Sequence, residues 1–165
     1  MKAQDSFSKD IIKEIDLVRS KFPEDKSKSA IIESLLIIQH DNNGFLTDDL
    51  IASLAIHLNV NKIDVYEVAT FYSMFNLEPV GKITISVCTN VSCMLRNSDS
   101  IVDHIEKKLK IKIGESTKDN KFYLKDEMEC LAACNGAPMM QVNHINYENL
   151  TFEKVDKILD EIDHD

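Results

Sequence analysis

The residues in this 165-residue sequence best suited to chemistry are its four cysteines, Cys88, Cys93, Cys130 and Cys134. They stand as a C-x4-C pair and a C-x3-C pair, separated by a stretch that reads as a helix followed by a strand. Thiolates are soft ligands. Two pairs on separate loops match the two irons of a [2Fe–2S] unit, because each iron needs two soft ligands besides its bridging sulfides to complete a tetrahedron. On that pairing Cys88 and Cys93 take one iron, and Cys130 and Cys134 take the other. A structural zinc also accepts four thiolates, although C-x2-C spacing is usual there. A zinc-stabilised interaction module with no redox role is therefore the alternative from another class.

The loops around the ligands carry expectations of their own. Burying a cluster's negative charge is costly unless backbone N–H groups point at the sulfurs. Thr89 to Ser92 and Leu131 to Ala133 lie between ligands and can offer such donors. Asn135-Gly136-Ala137 can bring the backbone close, with Gly136 free to adopt positive φ. Asp126, Glu127 and Glu129 precede the second pair. Their charge disfavours a reduced cluster, so the expected potential is low, near the roughly −400 mV of plant-type ferredoxins. Arg96 either stabilises that reduced state or is an ordinary surface residue.

The elements that must position these residues fall into two halves. Ile11, Ile12, Ile15 and Val18 recur at helical spacing until Phe22-Pro23. A second helix is predicted from about Ser29 to Gln39, ending at Asp41-Asn42-Asn43-Gly44. Thr47 is the expected N-cap of a third and Asn61 of a fourth, with Asp64 at its third helical position. From Lys82 the pattern changes to the period-two alternation of a strand, Lys82 to Val87. A helix is predicted over Asn97 to Leu109, short strands at Phe122–Leu124, Met139–Val142 and Ile145–Tyr147, and a last helix from Thr151. The order β, α, β, β, β, α predicts an α/β layer of helices over a small sheet. The predicted boundary gives an N-terminal helical domain over 1–80 and a cluster-binding domain over 81–165.

Composition narrows the function. The formal charge of −9 is spread along the chain and repels phosphate backbones, so nucleic acid is not expected as a partner. No apolar run approaches the roughly 20 residues of a membrane span. The N-terminus, MKAQDSFSKDIIKEI, lacks the apolar stretch of a secretory signal. A cytoplasmic location follows as an expectation, and in a reducing compartment four cysteines suit metal better than disulfides.

The stretches VCTNVSCMLRNSDSI from Val87 and ECLAACNGAPMMQVN from Glu129 resemble the thioredoxin-like [2Fe–2S] subunits of respiratory NADH:quinone oxidoreductases. EVATFYSMFNLEP from Glu67 and IGESTKDNKFYLKDE from Ile113 match in order. The resemblance implies a thioredoxin-like cluster domain preceded by a helical bundle, with Cys88, Cys93, Cys130 and Cys134 as ligands of one [2Fe–2S] cluster. It also implies an NADH- and FMN-binding flavoprotein partner, which passes single electrons to the cluster as a side store. Other peripheral-arm subunits, and a cytoplasmic position peripheral to the inner membrane through the complex, belong to the same implication. Similar subunits serve NAD-linked hydrogenases and formate dehydrogenases, the nearer alternative. The family most often has Gly where this chain has Ala132, and often Gly-Asn where it has Asn135-Gly136. If the family's Gly uses positive φ, Ala132 is strained there by roughly 1–2 kcal/mol.

Phe71, Tyr72, Met74 and Phe75 read as a docking face or as ordinary core packing, and for Phe71 and Phe75 the two readings are equal. His40, His57, His104, His144 and His164 show no ligand spacing, so a Rieske-type site is not expected. With no Gly-rich nucleotide loop and no catalytic Ser or Cys context, the chain alone is not expected to turn over substrate.

Overall fold

The computed structural model describes residues 7–126 and 130–164. Its contacts divide the chain into two compact units on either side of the Pro79–Val80 bond.

The first unit contains helices α1 (Lys9–Ser20), α2 (Ile31–Asp41), α3 (Asp48–Leu58) and α4 (Lys62–Phe71). Ser8 and Thr47 cap α1 and α3 by accepting the amides of Ile11 and Leu50, satisfying orphan donors of the first turns. Asn61 stands at the cap of α4 without accepting an amide; its side chain donates to Asp64 instead, at 3.4 Å. The second helix begins at Ile31 rather than Ser29, because Glu24–Ala30 forms a 3₁₀ segment ahead of it. The residues spaced for burial are buried: Ile11, Ile15, Val18, Ile31, Leu35, Ile38, Ile51, Leu54, Leu58 and Val65 form one apolar core. Phe75 belongs to that core at 7 % exposure, whereas Phe71 stands 78 % exposed. A buried polar clamp fixes the segment between them. Gln39 Nε2 donates to the Met74 carbonyl at 3.0 Å, and the Asn76 amide donates back to Gln39 Oε1 at 2.8 Å.

The second unit is mixed α/β. Strands β1 (Ile83–Val87), β2 (Phe122–Lys125), β3 (Met140–Val142) and β4 (Ile145–Tyr147) form a four-stranded sheet in the order β2-β1-β3-β4. Pairing is parallel between β1 and β2 and antiparallel for β1 with β3 and β3 with β4. A parallel pair needs a crossover. It is supplied by α5 (Val91–Met94) and α6 (Ser98–Leu109), and α7 (Phe152–His164) closes the unit. Ile85, Val87, Ile101, Ile105, Leu124, Val142, Val155 and Leu159 make its core. Gly81 is required where the chain enters the unit: a Cβ there would lie 2.5 Å from the Phe122 carbonyl carbon and oxygen. No described helix is long and apolar enough to cross a membrane.

Candidate metal centre

The parallel pairing of β1 with β2 decides where the cysteines go. Ser86 stands opposite Lys125, so both strands finish at the same edge of the sheet. Cys88 follows directly from β1, and Cys130 lies five residues beyond the end of β2. Two pairs distant in sequence therefore reach one edge without a long loop.

The first pair is set in a small apolar pocket. Cys88 and Cys93 are each 1 % exposed and pack with Ala137 and Met139, with Leu131 and Ala133 alongside. The Cys88 amide donates to the Met139 carbonyl at 3.2 Å, continuing the β1–β3 ladder into the ligand loop. The sequence pattern gives no sign of α5, a single turn bearing Cys93, because four residues are too few to show a period. Asn90 caps it: its side-chain Oδ1 accepts from the Val91 amide, and its carbonyl accepts from Cys93 and Met94 at 2.9 Å. Of the stretch Thr89 to Ser92 expected to offer donors, the Val91 amide is thereby committed within the turn, as are the Cys93 and Met94 amides that follow.

Burial pushes the Cys93 thiol up to about 11, the neighbouring Cys88 thiol adds to the rise, and Cys134 contributes a weaker charge effect. A backbone hydrogen bond from Met139 opposes the shift. The Cys93 proton is thus held at neutral pH until a cation displaces it, which is how thiolate metal sites load.

The second pair is exposed. Cys130 Sγ and Cys134 Sγ stand 3.4 Å apart, and all four cysteines are free of disulfides. A disulfide requires about 2.05 Å. Two thiolates on one tetrahedral metal, each bonded at about 2.3 Å, stand roughly 3.8 Å apart. The observed separation is closer to shared ligation. Between them Ala132 adopts φ +60°, in the left-handed region. Among the described residues, the other left-handed positions outside glycine are Asn, Lys or His, such as Asn43, Lys110 and His144. Ala132 is thus strained in the way its comparison with the family's Gly predicts.

The close approach expected at Gly136 is present, but without a positive φ: a Cβ there would lie 2.1 Å from Glu148 Oε2 and 2.5 Å from Glu148 Cβ. The Gly136 carbonyl accepts the Asn149 amide at 2.6 Å, and a 3₁₀ turn over Cys134–Gly136 leads to the cis Ala137–Pro138 peptide. Arg96 Nη1 donates to the Ala137 carbonyl at 3.4 Å, linking the turn after Cys93 to the segment after Cys134. Asp126 is described, but Glu127 and Glu129, the rest of the acidic approach to the second pair, lie outside the described residues.

The remaining candidates lie elsewhere. His57 Nε2 meets Asp16 at 2.8 Å, and His104 Nε2 meets Asp156 at 2.8 Å. His40 is exposed on α2, and His144 occupies the β3–β4 turn. The side chain of His164 lies outside the described residues. Among the described residues, no three His, Cys, Asp or Glu side chains gather as a site for a single ion.

A four-stranded mixed sheet with a helical crossover and four cysteines free of disulfides, two of which lead off its parallel strands, is a thioredoxin-like design suited to holding a cluster. The thioredoxin-like [2Fe–2S] ferredoxin family matches residues 15–163, and the chain belongs to it; its cofactor is a [2Fe–2S] cluster. The chain is 47 % identical over 150 residues to an NADH-quinone oxidoreductase subunit from Rickettsia felis, covering 91 % of this chain and 89 % of that protein. It is 37 % identical over 156 residues to the mitochondrial NADH dehydrogenase [ubiquinone] flavoprotein 2 of Dictyostelium discoideum, covering 94 % of this chain and 63 % of that one. A crystal structure of an air-oxidised NAD+-reducing [NiFe]-hydrogenase shares the fold at TM-score 0.65 and 18 % identity, over 79 % of this chain and 23 % of that one.

Proposed function

We propose that this chain is the electron-transfer subunit of an NADH:quinone oxidoreductase. In this reading Cys88 and Cys93 hold one iron of the cluster and Cys130 and Cys134 the other. The single observation that carries it is the two-by-two arrangement of thiols, with Cys88 and Cys93 buried in one apolar pocket and the Cys130 and Cys134 sulfurs 3.4 Å apart. When bound, a [2Fe–2S] cluster supplies a one-electron store. The apolar pocket of Ala137 and Met139 excludes water from the first two ligands, and the Arg96 hydrogen bond to Ala137 keeps the two ligand segments together.

The names of the relatives support membership of an NADH-oxidising complex; in this reading its NADH- and FMN-binding flavoprotein subunit delivers single electrons to this one. Val91, Met94 and Leu95 remain exposed around Cys93, an apolar face suited to cover by such a partner. Exposed Phe71 is a second docking candidate, on the helical unit. In the same reading residues 1–80 form an N-terminal helical bundle domain and residues 81–165 the thioredoxin-like domain; the division at Pro79–Val80 and the two separate cores support it. The complex holds the chain on the cytoplasmic side of the inner membrane, together with other peripheral-arm subunits.

Electron paramagnetic resonance of the dithionite-reduced, anaerobically purified chain tests this directly. The expected result is a rhombic S = ½ signal of about one spin per chain. A colourless protein with stoichiometric zinc overturns it. Co-purification with a nickel or molybdenum subunit, in place of quinone-reductase subunits, moves the same centre into a different complex.

A further inference from the structure

The two cysteine pairs differ in access. Cys88 and Cys93 are walled in by Ala137 and Met139, while Cys130 and Cys134 both face solvent with their sulfurs 3.4 Å apart. The left-handed turn at Ala132 and the 3₁₀ turn starting at Cys134 fold the loop so that the two side chains meet. Closing to a disulfide of about 2.05 Å brings the sulfurs together by about 1.4 Å.

We propose that Cys130 and Cys134 form a reversible disulfide site in the metal-free chain, and that its closure competes with cluster loading. The competition, though not the disulfide, rests on the ligand assignment above. The oxidant is a low-molecular-weight disulfide such as oxidised glutathione. The Cys130 thiolate attacks one of its sulfurs, forming a mixed disulfide and releasing one glutathione thiolate. The Cys134 thiolate then attacks the Cys130 sulfur and releases the second glutathione. Two cysteine thiols give up two protons and two electrons, and one glutathione disulfide becomes two glutathiones. Attack requires each sulfur to be reached along the disulfide axis, which the pocket around Cys88 and Cys93 denies. Two sulfurs tied to each other leave only two thiolates for a centre that needs four.

The test uses the full-length chain, freed of iron by a chelator under reducing conditions and then incubated with oxidised glutathione. Remaining thiols are alkylated after denaturation and mapped by mass spectrometry. The expected product is the tryptic peptide Asp126–Lys154 two hydrogens lighter and unalkylated, with Cys88 and Cys93 fully alkylated. Reconstitution with ferrous iron and sulfide then restores roughly tenfold less visible absorption than in the reduced chain, and dithiothreitol returns it. In Cys134→Ser, with unchanged circular dichroism, glutathione stays attached to Cys130. A Cys88–Cys93 disulfide in equal yield, or lasting glutathionylation of Cys130 in the unsubstituted chain, overturns the proposal. No disulfide, in a chain that reconstitutes normally when untreated, also overturns it and leaves the ligand assignment standing. A closed disulfide with undiminished loading overturns the competition and the ligand assignment together.

Discussion

The helical unit and the sheet unit are each built around one apolar core, yet they use their sequence differently. In the helical unit nearly every residue with a recurring position serves packing: Ile15, Leu35, Leu54 and Leu58 are fully buried. In the sheet unit the core is equally regular, but the chemistry sits on the segments that leave it. Cys93 rides on a single turn, and Ala132 and Gly136 lie in irregular backbone around the second pair. Periodic burial makes a stable frame, while the site depends on a few local conformations. Breaking the frame should therefore unfold the protein, and breaking the site should leave it folded and colourless.

Replacing a proposed ligand gives the largest expected effect on the site. Cys93→Ser should lose essentially all visible absorption, because two thiolates on each iron are required, while far-ultraviolet circular dichroism stays unchanged. Retention of the full spectrum would remove Cys93 from the ligand set. The matching experiment on the frame is Phe75→Ala, which should cost about 3–5 kcal/mol in denaturant unfolding with the visible spectrum intact. Phe71→Ala should stay within about 0.5 kcal/mol of the parent and instead weaken assembly with the flavoprotein. A stability loss for Phe71→Ala as large as that for Phe75→Ala would erase the distinction between them.

The contrast also governs how much was legible in the sequence. The helix spacing of Ile11, Ile15 and Val18, the Thr47 cap and the alternation of Ile83 to Val87 all announce themselves, because burial in a regular element imposes a period. The cysteine spacing indicates the ligand loops for a chemical reason. What brings the loops together is the parallel pairing of β1 and β2, which neither strand's own residues express. Gln39 gives no sign that it will clamp Met74 and Asn76, since a Gln at a helix end is ordinarily solvated. Gly136 gave half of its sign: the expected close approach is there, against Glu148, but the positive φ that glycine also allows is not used. Ala132 carries no local signal for its left-handed backbone, and only comparison with glycine in the family pointed to it.

Smaller effects should follow at these illegible positions. Gly136→Ala forces its new methyl into Glu148 and should cost about 1–3 kcal/mol in the sheet unit, measured by denaturant unfolding. Ala132→Gly relieves the positive φ and should gain about 1 kcal/mol in the same measurement. A loss instead would mean that the alanine methyl makes a contact worth more than the strain.

The smallest expected effect concerns the seam between α6 and α7. Asp156 lies 2.8 Å from His104 Nε2 and 3.3 Å from Lys108 Nζ, and Lys108 also meets Asp160 at 2.6 Å. His104 stacks on Phe152 with ring centroids 4.7 Å apart. The hydrogen bond with His104 is the main cause holding the Asp156 carboxyl below its ordinary value; burial opposes it, and a weaker hydrogen bond from Lys108 adds to the lowering. A carboxyl whose value is lowered on folding stabilises the native state above its unfolded value, near 3.9, and loses that contribution as pH falls through the folded value. Melting temperature should therefore fall more steeply below about pH 4 in the parent than in Asp156→Asn, which has no proton to gain there. Because Asp156 is 41 % exposed, solvent screens the pair, and the difference should be small and shrink further in high salt. Equal slopes at low salt would show the seam to be held by the Phe152 stacking and the core beneath it. A helix pair in the same unit as the cysteines would then follow the rule of the helical half, with regular packing as the frame and surface charge as a minor addition.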